Sequence, residues 1–302
     1  YLIFFNKNIL KNLFLLLLII YLFLFIDTLY QYNFSKNILG FVYNDDENFR
    51  ITSFFKDDEV LGSYTARFFP LLMFLVINNF KNKLSKNFSI FFLFLTLISF
   101  TIIVLSGERT SIGLFILSFL FILFSSENFR KKLFIPLLIL IVGFVILTSS
   151  SDKVKYRVIT QTMNQMGLNT ESDRLILFSK TYEGHYLISY NMFKEKPLFG
   201  HGPKMFRVYC QKEENFVAGN ACTTHPHNFY AQMLAETGMI GFISILSIFF
   251  YIVYFFLKNI YFLIFKKKQL ITDEAICLLS FYFMTFFPFL PSGSFFNNWM
   301  SI

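Results

Sequence analysis

The sequence predicts an all-α, polytopic membrane protein: a transmembrane helical bundle of about eight spans with one large, partly helical polar loop. Three observations carry this. The chain of 302 residues is 55% hydrophobic and 21% aromatic, and its 46 phenylalanines exceed what one soluble core would use. Charged residues make up 15%, against about 25% in ordinary soluble domains. Apolar runs close to the roughly 20 residues that cross a bilayer recur along the chain, and basic residues cluster in alternate connections between them.

The first run, 12–29, follows Lys7 and Lys11. The second, 66–80, is short and holds Pro70, which a membrane helix tolerates when neighbours satisfy the freed carbonyl. Lys81, Lys83 and Lys86 follow it. The third and fourth runs, 88–105 and 111–125, are joined by Ser106-Gly107-Glu108-Arg109-Thr110, and Arg130, Lys131 and Lys132 come next. A fifth run covers 133–149. After a polar stretch, a sixth covers 238–264, with Lys258 and Lys266 to Lys268 at its end. A seventh covers 274–291, and an eighth begins near 296. By the positive-inside rule the basic connections face the cytoplasm, and the alternation holds across seven spans without conflict. The chain starts at Tyr1 without a methionine and ends inside an apolar stretch, so it reads as a fragment lacking at least one further span. The expected division is five spans in 1–149, an outer loop carrying the site in 150–237, and truncated C-terminal spans in 238–302.

The formal charge of +8 is spread over short loops, which is a topology signal and not a nucleic-acid-binding stripe. Three cysteines are too few for a disulfide framework. Cys277 lies in an apolar run, whereas Cys210 and Cys222 share the polar loop and can pair if it faces an oxidising compartment. That loop is close to ninety residues, too long for a plain connection. Its tyrosines and phenylalanines argue for order, and it holds all four histidines: His185, His201, His225 and His227. The chemistry is therefore expected on the outer face.

Within it, His227-Asn228 opens a helix reading Phe229 to Thr237, with Asn228 as N-cap and Gly238 ending or kinking it. Gly241 permits close packing at membrane entry. A histidine near a helix N-terminus is held neutral by the dipole, so His227 reads either as a general base or as an interfacial capping residue. His225 and His227 have no third ligand at a telling spacing, so no metal site is expected. Arg109 lies at membrane depth beside Glu108, as a phosphate partner or as half of an interfacial ion pair. Pro197-Leu198-Phe199-Gly200-His201-Gly202-Pro203 is a turn whose freed amides either cradle an anion or only reverse the chain. Gly62-Ser63-Tyr64 with Arg67 leaves the same two readings open.

Taken together, the Pro197–Pro203 string, then His227-Asn228, nine residues, Gly238, two residues and Gly241, resemble the signature of the O-antigen ligase and O-antigen polymerase superfamily. Ser106 to Thr110 resembles that family's arginine-bearing turn, and the likeness covers roughly 106–241. The resemblance implies a multi-pass glycosyltransferase of the bacterial inner membrane with its site facing the periplasm, using no cofactor and no metal. It would move a glycan from an undecaprenyl-diphosphate-linked donor to a lipid A-core or other glycan acceptor, in contact with membrane lipid and with no nucleic acid partner. His227 would deprotonate the acceptor hydroxyl, and Arg109 would neutralise the diphosphate. Arg67, Gly200, His201, Gly202, Asn228, Gly238 and Gly241 would line the substrate site. Family members often carry a second arginine about fifteen residues before the Pro-Leu turn. Here Tyr182 and His185 stand there, so Arg174, Arg157 or His185 would supply that contact. The pattern leans to ligase, with repeat-unit polymerase as the alternative and a lipid-linked sugar flippase as a different class.

Overall fold

The computed structural model describes residues 7–42, 49–80, 86–166, 168, 179–215, 217 and 221–296. In chain order its helices are α1 (Lys7–Phe34), α2 (Leu61–Phe80), α3 (Lys86–Leu105), α4 (Arg109–Ser125), α5 (Glu127–Ser150), α6 (Asp152–Lys155), α7 (Gln161–Gln165), α8 (Lys180–Glu195), α9 (Phe206–Tyr209), α10 (Phe229–Phe265) and α11 (Asp273–Thr285). A π-helical turn, Tyr156–Thr160, links α6 to α7. Among the described residues no strand forms beyond one isolated bridge, Lys36 to Val42. The all-helical expectation holds.

Among the described residues three helices are long and apolar enough to cross a membrane: Asn8–Phe34, Leu61–Phe80 and Phe229–Phe265. A fourth is available if Ile135–Ser150 and Asp152–Gln165, which meet at 110°, form one broken span. About eight were expected from apolar runs, and the remaining runs form shorter helices among the described residues. Arg109–Ser125 is an apolar helix below span length. At 1.5 Å per residue, seventeen residues reach about 26 Å, short of a hydrocarbon core of about 30 Å. The run 274–291 is helical only to Thr285, giving 13 residues in α11, with Pro288 and Pro291 beyond. The run from 296 lies, apart from Phe296, outside the described residues.

The chain forms two compact units, Tyr1–Thr160 with Ile252–Thr285, and Gln161–Tyr251 with Phe286–Ile302. In the first, α2 is the central element, packing against α11, α3, α4 and α1. Its buried face carries Leu61, Ala66, Phe69, Leu72, Met73, Leu75 and Val76, and Phe69 meets Phe115 of α4 at 4.8 Å between ring centroids. One turn before Pro70, the Thr65 carbonyl accepts from the Tyr21 hydroxyl (2.7 Å). Outward faces of α1 (Leu16, Ile19, Phe23, Ile26) and α5 (Ile135, Val142, Val145, Ile146) are apolar and exposed, as lipid-facing surfaces are. In the second unit, α8 buries Ile188 and Met192 against Phe206, Tyr209, Cys210, Ala221 and Ala235. A separate aromatic cluster of Phe229, Tyr230, Phe242, Phe249, Phe286 and Phe295 surrounds the start of α10.

Candidate active site

The sequence singled out two groups of residues, and each group assembles within one unit. In the first unit the Gly62–Arg67 and Ser106–Arg109 segments prove to be one structure. Glu108 does not cap its own helix α4. Its carboxylate instead accepts from the amides of Gly62 (2.6 Å) and Ser63 (3.1 Å) at the start of α2, where the helix dipole favours a negative charge. A side chain on Gly62 would overlap the hydroxyls of Ser106 and Ser111, so glycine is what lets α2 approach the turn. Gly107 has φ +68°, and its carbonyl accepts from Nε of Arg157 (3.2 Å), a guanidinium only 2% exposed.

Arg67 donates Nη1 to the Ser63 carbonyl (3.3 Å) and lies within electrostatic reach of Glu108. Arg50, paired with Glu59, also acts on Glu108. Burial raises the Glu108 carboxyl from its ordinary value, opposed by the Gly62 and Ser63 amides and by Arg50. Arg109 is half-buried as the first residue of α4. Among the described residues four arginines, Arg50, Arg67, Arg109 and Arg157, thus stand around this turn with the carboxylates of Glu59 and Glu108. Arg174 lies outside the described residues.

The second unit holds a histidine cluster. On α8, Nδ1 of His185 meets the Ala221 carbonyl at 2.6 Å. A carbonyl only accepts, so the proton sits on Nδ1 and leaves Nε2 as an acceptor. Ala221 reaches α8 because position 184 is glycine; a Cβ there would meet the Ala221 Cβ at 2.6 Å. The next residue, Cys222, is disulfide-bonded to Cys210, with Cα atoms 5.2 Å apart. The His227 ring lies 4.3 Å from His225, 5.4 Å from His185 and 5.7 Å from Tyr182, between ring centroids.

His227 has φ +51°, a left-handed conformation uncommon for a residue with a side chain, and its carbonyl accepts from the Ser292 amide (2.9 Å). Burial, then the neighbouring His225 and His185, lower its pKa from 6.5 to about 4. His185 and His225 are also lowered, in each case chiefly by burial. The dipole expected to keep His227 neutral is therefore not the main cause; desolvation is.

Asn228 caps α10 as expected: its Oδ1 accepts from the amides of Tyr230 (2.9 Å) and Ala231 (3.1 Å). Ser292 Oγ takes the Phe229 amide (2.8 Å), and Asn228 Nδ2 donates to the Pro288 carbonyl (2.8 Å). The opening amides of α10 are thus committed to the protein, and the chemistry at this end rests with the imidazoles.

The two glycine motifs clasp one another. Gly238 interrupts α10 with φ +67° and ψ −161°. There the Met239 amide donates to the Pro197 carbonyl (2.8 Å), the His201 amide to Ala235 (3.1 Å) and the Gly202 amide to Glu236 (2.8 Å). A Cβ on Gly238 would run into the Leu198 carbonyl and lie 2.7 Å from the Phe199 amide. One on Gly200 would lie 2.5 Å from the Thr237 amide. The Gly200 amide is also used, by the Lys196 carbonyl (3.0 Å). An anion cradle needs these amides free, so the geometry favours the reading of a structural turn. Gly241 has a similar use: a Cβ there would overlap the Thr237 side chain of its own helix. His201 leaves the cluster; its Nε2 donates to the Met192 carbonyl (2.9 Å), with Glu195 at 3.5 Å.

Sequence reasoning missed Arg207, whose buried Nε lacks a hydrogen-bond partner and whose charge acts on His225. Only its position four residues after Pro203 hinted at it. Glu236, fully buried, was also passed over; it accepts from the Phe206 amide (2.9 Å) and from Gln232 Nε2 (2.9 Å), tying α9 to α10. Among the described residues no three His, Cys, Asp or Glu side chains group to hold a metal ion.

Compared with known families, the chain matches the O-antigen ligase family over residues 91–246, just over half its length. That stretch includes Arg109, Arg157, the Pro197–Pro203 turn, the histidine cluster and Gly241. No curated protein and no solved structure matches the chain.

Proposed function

We propose, from the premise that the chain belongs to the O-antigen ligase family, that it transfers a glycan from undecaprenyl diphosphate to an acceptor sugar hydroxyl at the periplasmic face of the inner membrane. Membership implies glycosyltransferase activity of the ligase or polymerase type, on a lipid-linked glycan and a glycan acceptor. The finer assignment to ligase, to this donor and to this face is our reading. The eight-span topology belongs to it too, with α3, α4 and α11 in the bilayer beside the longer helices. The basic connections and the Cys210–Cys222 bond support an outer, oxidising side for the loop.

The observation that carries the mechanism is the set of three mutually close imidazoles around His227, each with its pKa lowered chiefly by burial. Neutral imidazole accepts a proton. As the acceptor oxygen attacks the anomeric carbon of the donor, its proton passes to His227. The bond from that carbon to the diphosphate oxygen breaks, and the diphosphate leaves with the electron pair. The arginine-rich turn around Arg109 compensates the developing negative charge. A base with a pKa near 4 is weak in the empty site; an anionic donor beside it favours the protonated form and strengthens it as substrate binds.

The test is His227→Gln in a purified, membrane-reconstituted transfer assay. Loss of a positioned base costs roughly 100-fold or more in rate. Transfer within a few-fold of the parent, by equally abundant and folded protein, would remove His227 from the chemistry.

A further inference from the structure

The loop unit carries an exposed apolar face that none of the groups above uses. On α8, Leu187, Tyr190 and Lys194 recur at i, i+3 and i+7, which is one side of a helix. Leu187 is 48% and Tyr190 52% exposed, while Gly184, His185, Ile188, Ser189 and Met192 point the other way and are buried. The following turn exposes Leu198 by 61% and Phe199 by 74%. Through the Met239–Pro197 and Ile240–Leu198 backbone contacts (2.8 and 3.5 Å) this turn is spliced onto α10, where the exposed apolar surface of a membrane-length helix begins with Ile240 and Ile243.

We propose that the outer face of α8 and the Leu198-Phe199 turn are seated in the outer lipid–water interface of the bilayer. Three features select lipid over a protein partner. The patch is continuous with the exposed face of α10. Its exposed cations, Lys194 and Lys196, flank the apolar tip as lysines do at headgroup level, with their stems along apolar surface. Tyr190 is placed as interfacial tyrosines are, and the Lys194 ammonium lies 4.9 Å from its ring centroid. Of the acids near Lys194, Glu195 is turned to the Tyr209 hydroxyl and to His201, and Glu214 is paired with Lys212. His185 stands about 180° around α8 from Lys194, so α8 separates lipid from the histidine cluster. The cluster is thereby held roughly one helix diameter, about 10 Å, above the interface. Under the proposed reaction, that is the level of the first sugars on a membrane-anchored diphosphate. The seat rests on the membrane character of the chain and not on that reaction, so the two fail separately.

The experiment places a tryptophan at single positions in the full chain after Trp299→Phe, since Trp299 is the only natural one. Phe199→Trp, Leu198→Trp and, as a control on the exposed 3-10 turn of the same unit, Glu213→Trp are reconstituted in phosphatidylethanolamine–phosphatidylglycerol vesicles. Lipids brominated high on the acyl chain should quench the 199 and 198 probes by about half and leave the 213 probe unaffected. Lys194→Glu with Lys196→Glu should reduce the quenching at 199. Emission at 199 and 198 that brominated lipid does not quench overturns the proposal. Accessibility to aqueous acrylamide then means the face is in water, and shielding from both quenchers means protein covers it.

Discussion

Replacing Gly238 by alanine isolates the device that joins the two glycine motifs. The residue sits at φ +67°, ψ −161°, a region that costs an L side chain about 1–3 kcal/mol. Its new Cβ would also press on the Leu198 carbonyl and on the Phe199 amide at 2.7 Å, and overpacking of this kind costs about 1–3 kcal/mol more. Relieving it means moving the turn away from α10, which endangers the Met239–Pro197 and Gly202–Glu236 hydrogen bonds, each worth about 1 kcal/mol. We expect a total loss of about 3–6 kcal/mol. The assay is thermal unfolding of detergent-solubilised protein beside two comparisons. Gly40→Ala has φ +89° with nothing within 4 Å of the added carbon, so it reports strain alone, about 1–2 kcal/mol. Gly241→Ala overlaps the Thr237 hydroxyl, and adding Thr237→Ala should recover part of its loss, because the hydroxyl goes while the Thr237 Cβ at 2.7 Å stays. A Gly238→Ala protein no less stable than Gly40→Ala would refute the clasp.

Arg109→Lys should keep part of the transfer activity and Arg109→Ala nearly none, measured at saturating acceptor; equal and full activity in both removes the diphosphate role. Because the folded His227 pKa is depressed from 6.5 to about 4, the protein should be most stable above pH 6.5 and lose stability as pH falls toward 4. For this partly exposed ring the loss, discounted for solvent screening, is about 2 kcal/mol, and His227→Gln should flatten that part of the stability–pH curve. Breaking the Cys210–Cys222 bond opens the loop that it closes in the unfolded chain and frees the segment carrying Ala221, so Cys222→Ser should cost about 3 kcal/mol. Thiol labelling of unreduced, denatured protein should find one free cysteine, Cys277, and two additional reactive thiols would contradict the bond.

The Asn228 cap and the break at Gly238 were legible from residue type alone, because both are local: a short amide side chain closes the adjacent amides, and glycine alone tolerates that backbone. The grouping of histidines in one loop was legible, but their meeting was not. His185 and His227 are 42 positions apart in the chain, and their ring contact depends on Gly184, Ala221 and the disulfide. The hydrogen bonds of Glu108 were not legible for the same reason: they are made to amides more than forty residues upstream. Helix length was not legible, because hydropathy registers apolar composition and not whether a helix continues; Pro288 and Pro291 follow α11 after only 13 residues.

By itself the sequence determined that this chain is a membrane protein and which family it joins. Composition, charge alternation and motif spacing are one-dimensional quantities, and these conclusions need nothing more. Tertiary structure decided what surrounds the motif residues. It committed the His201 and Gly202 amides to carbonyls of α10, brought Arg157 under the turn that carries Arg109, and half-buried His227 among two other imidazoles, which lowers its pKa. Each depends on which distant atoms occupy the surrounding few ångströms, and desolvation, packing and hydrogen bonding are set by that neighbourhood and not by the order of residues along the chain.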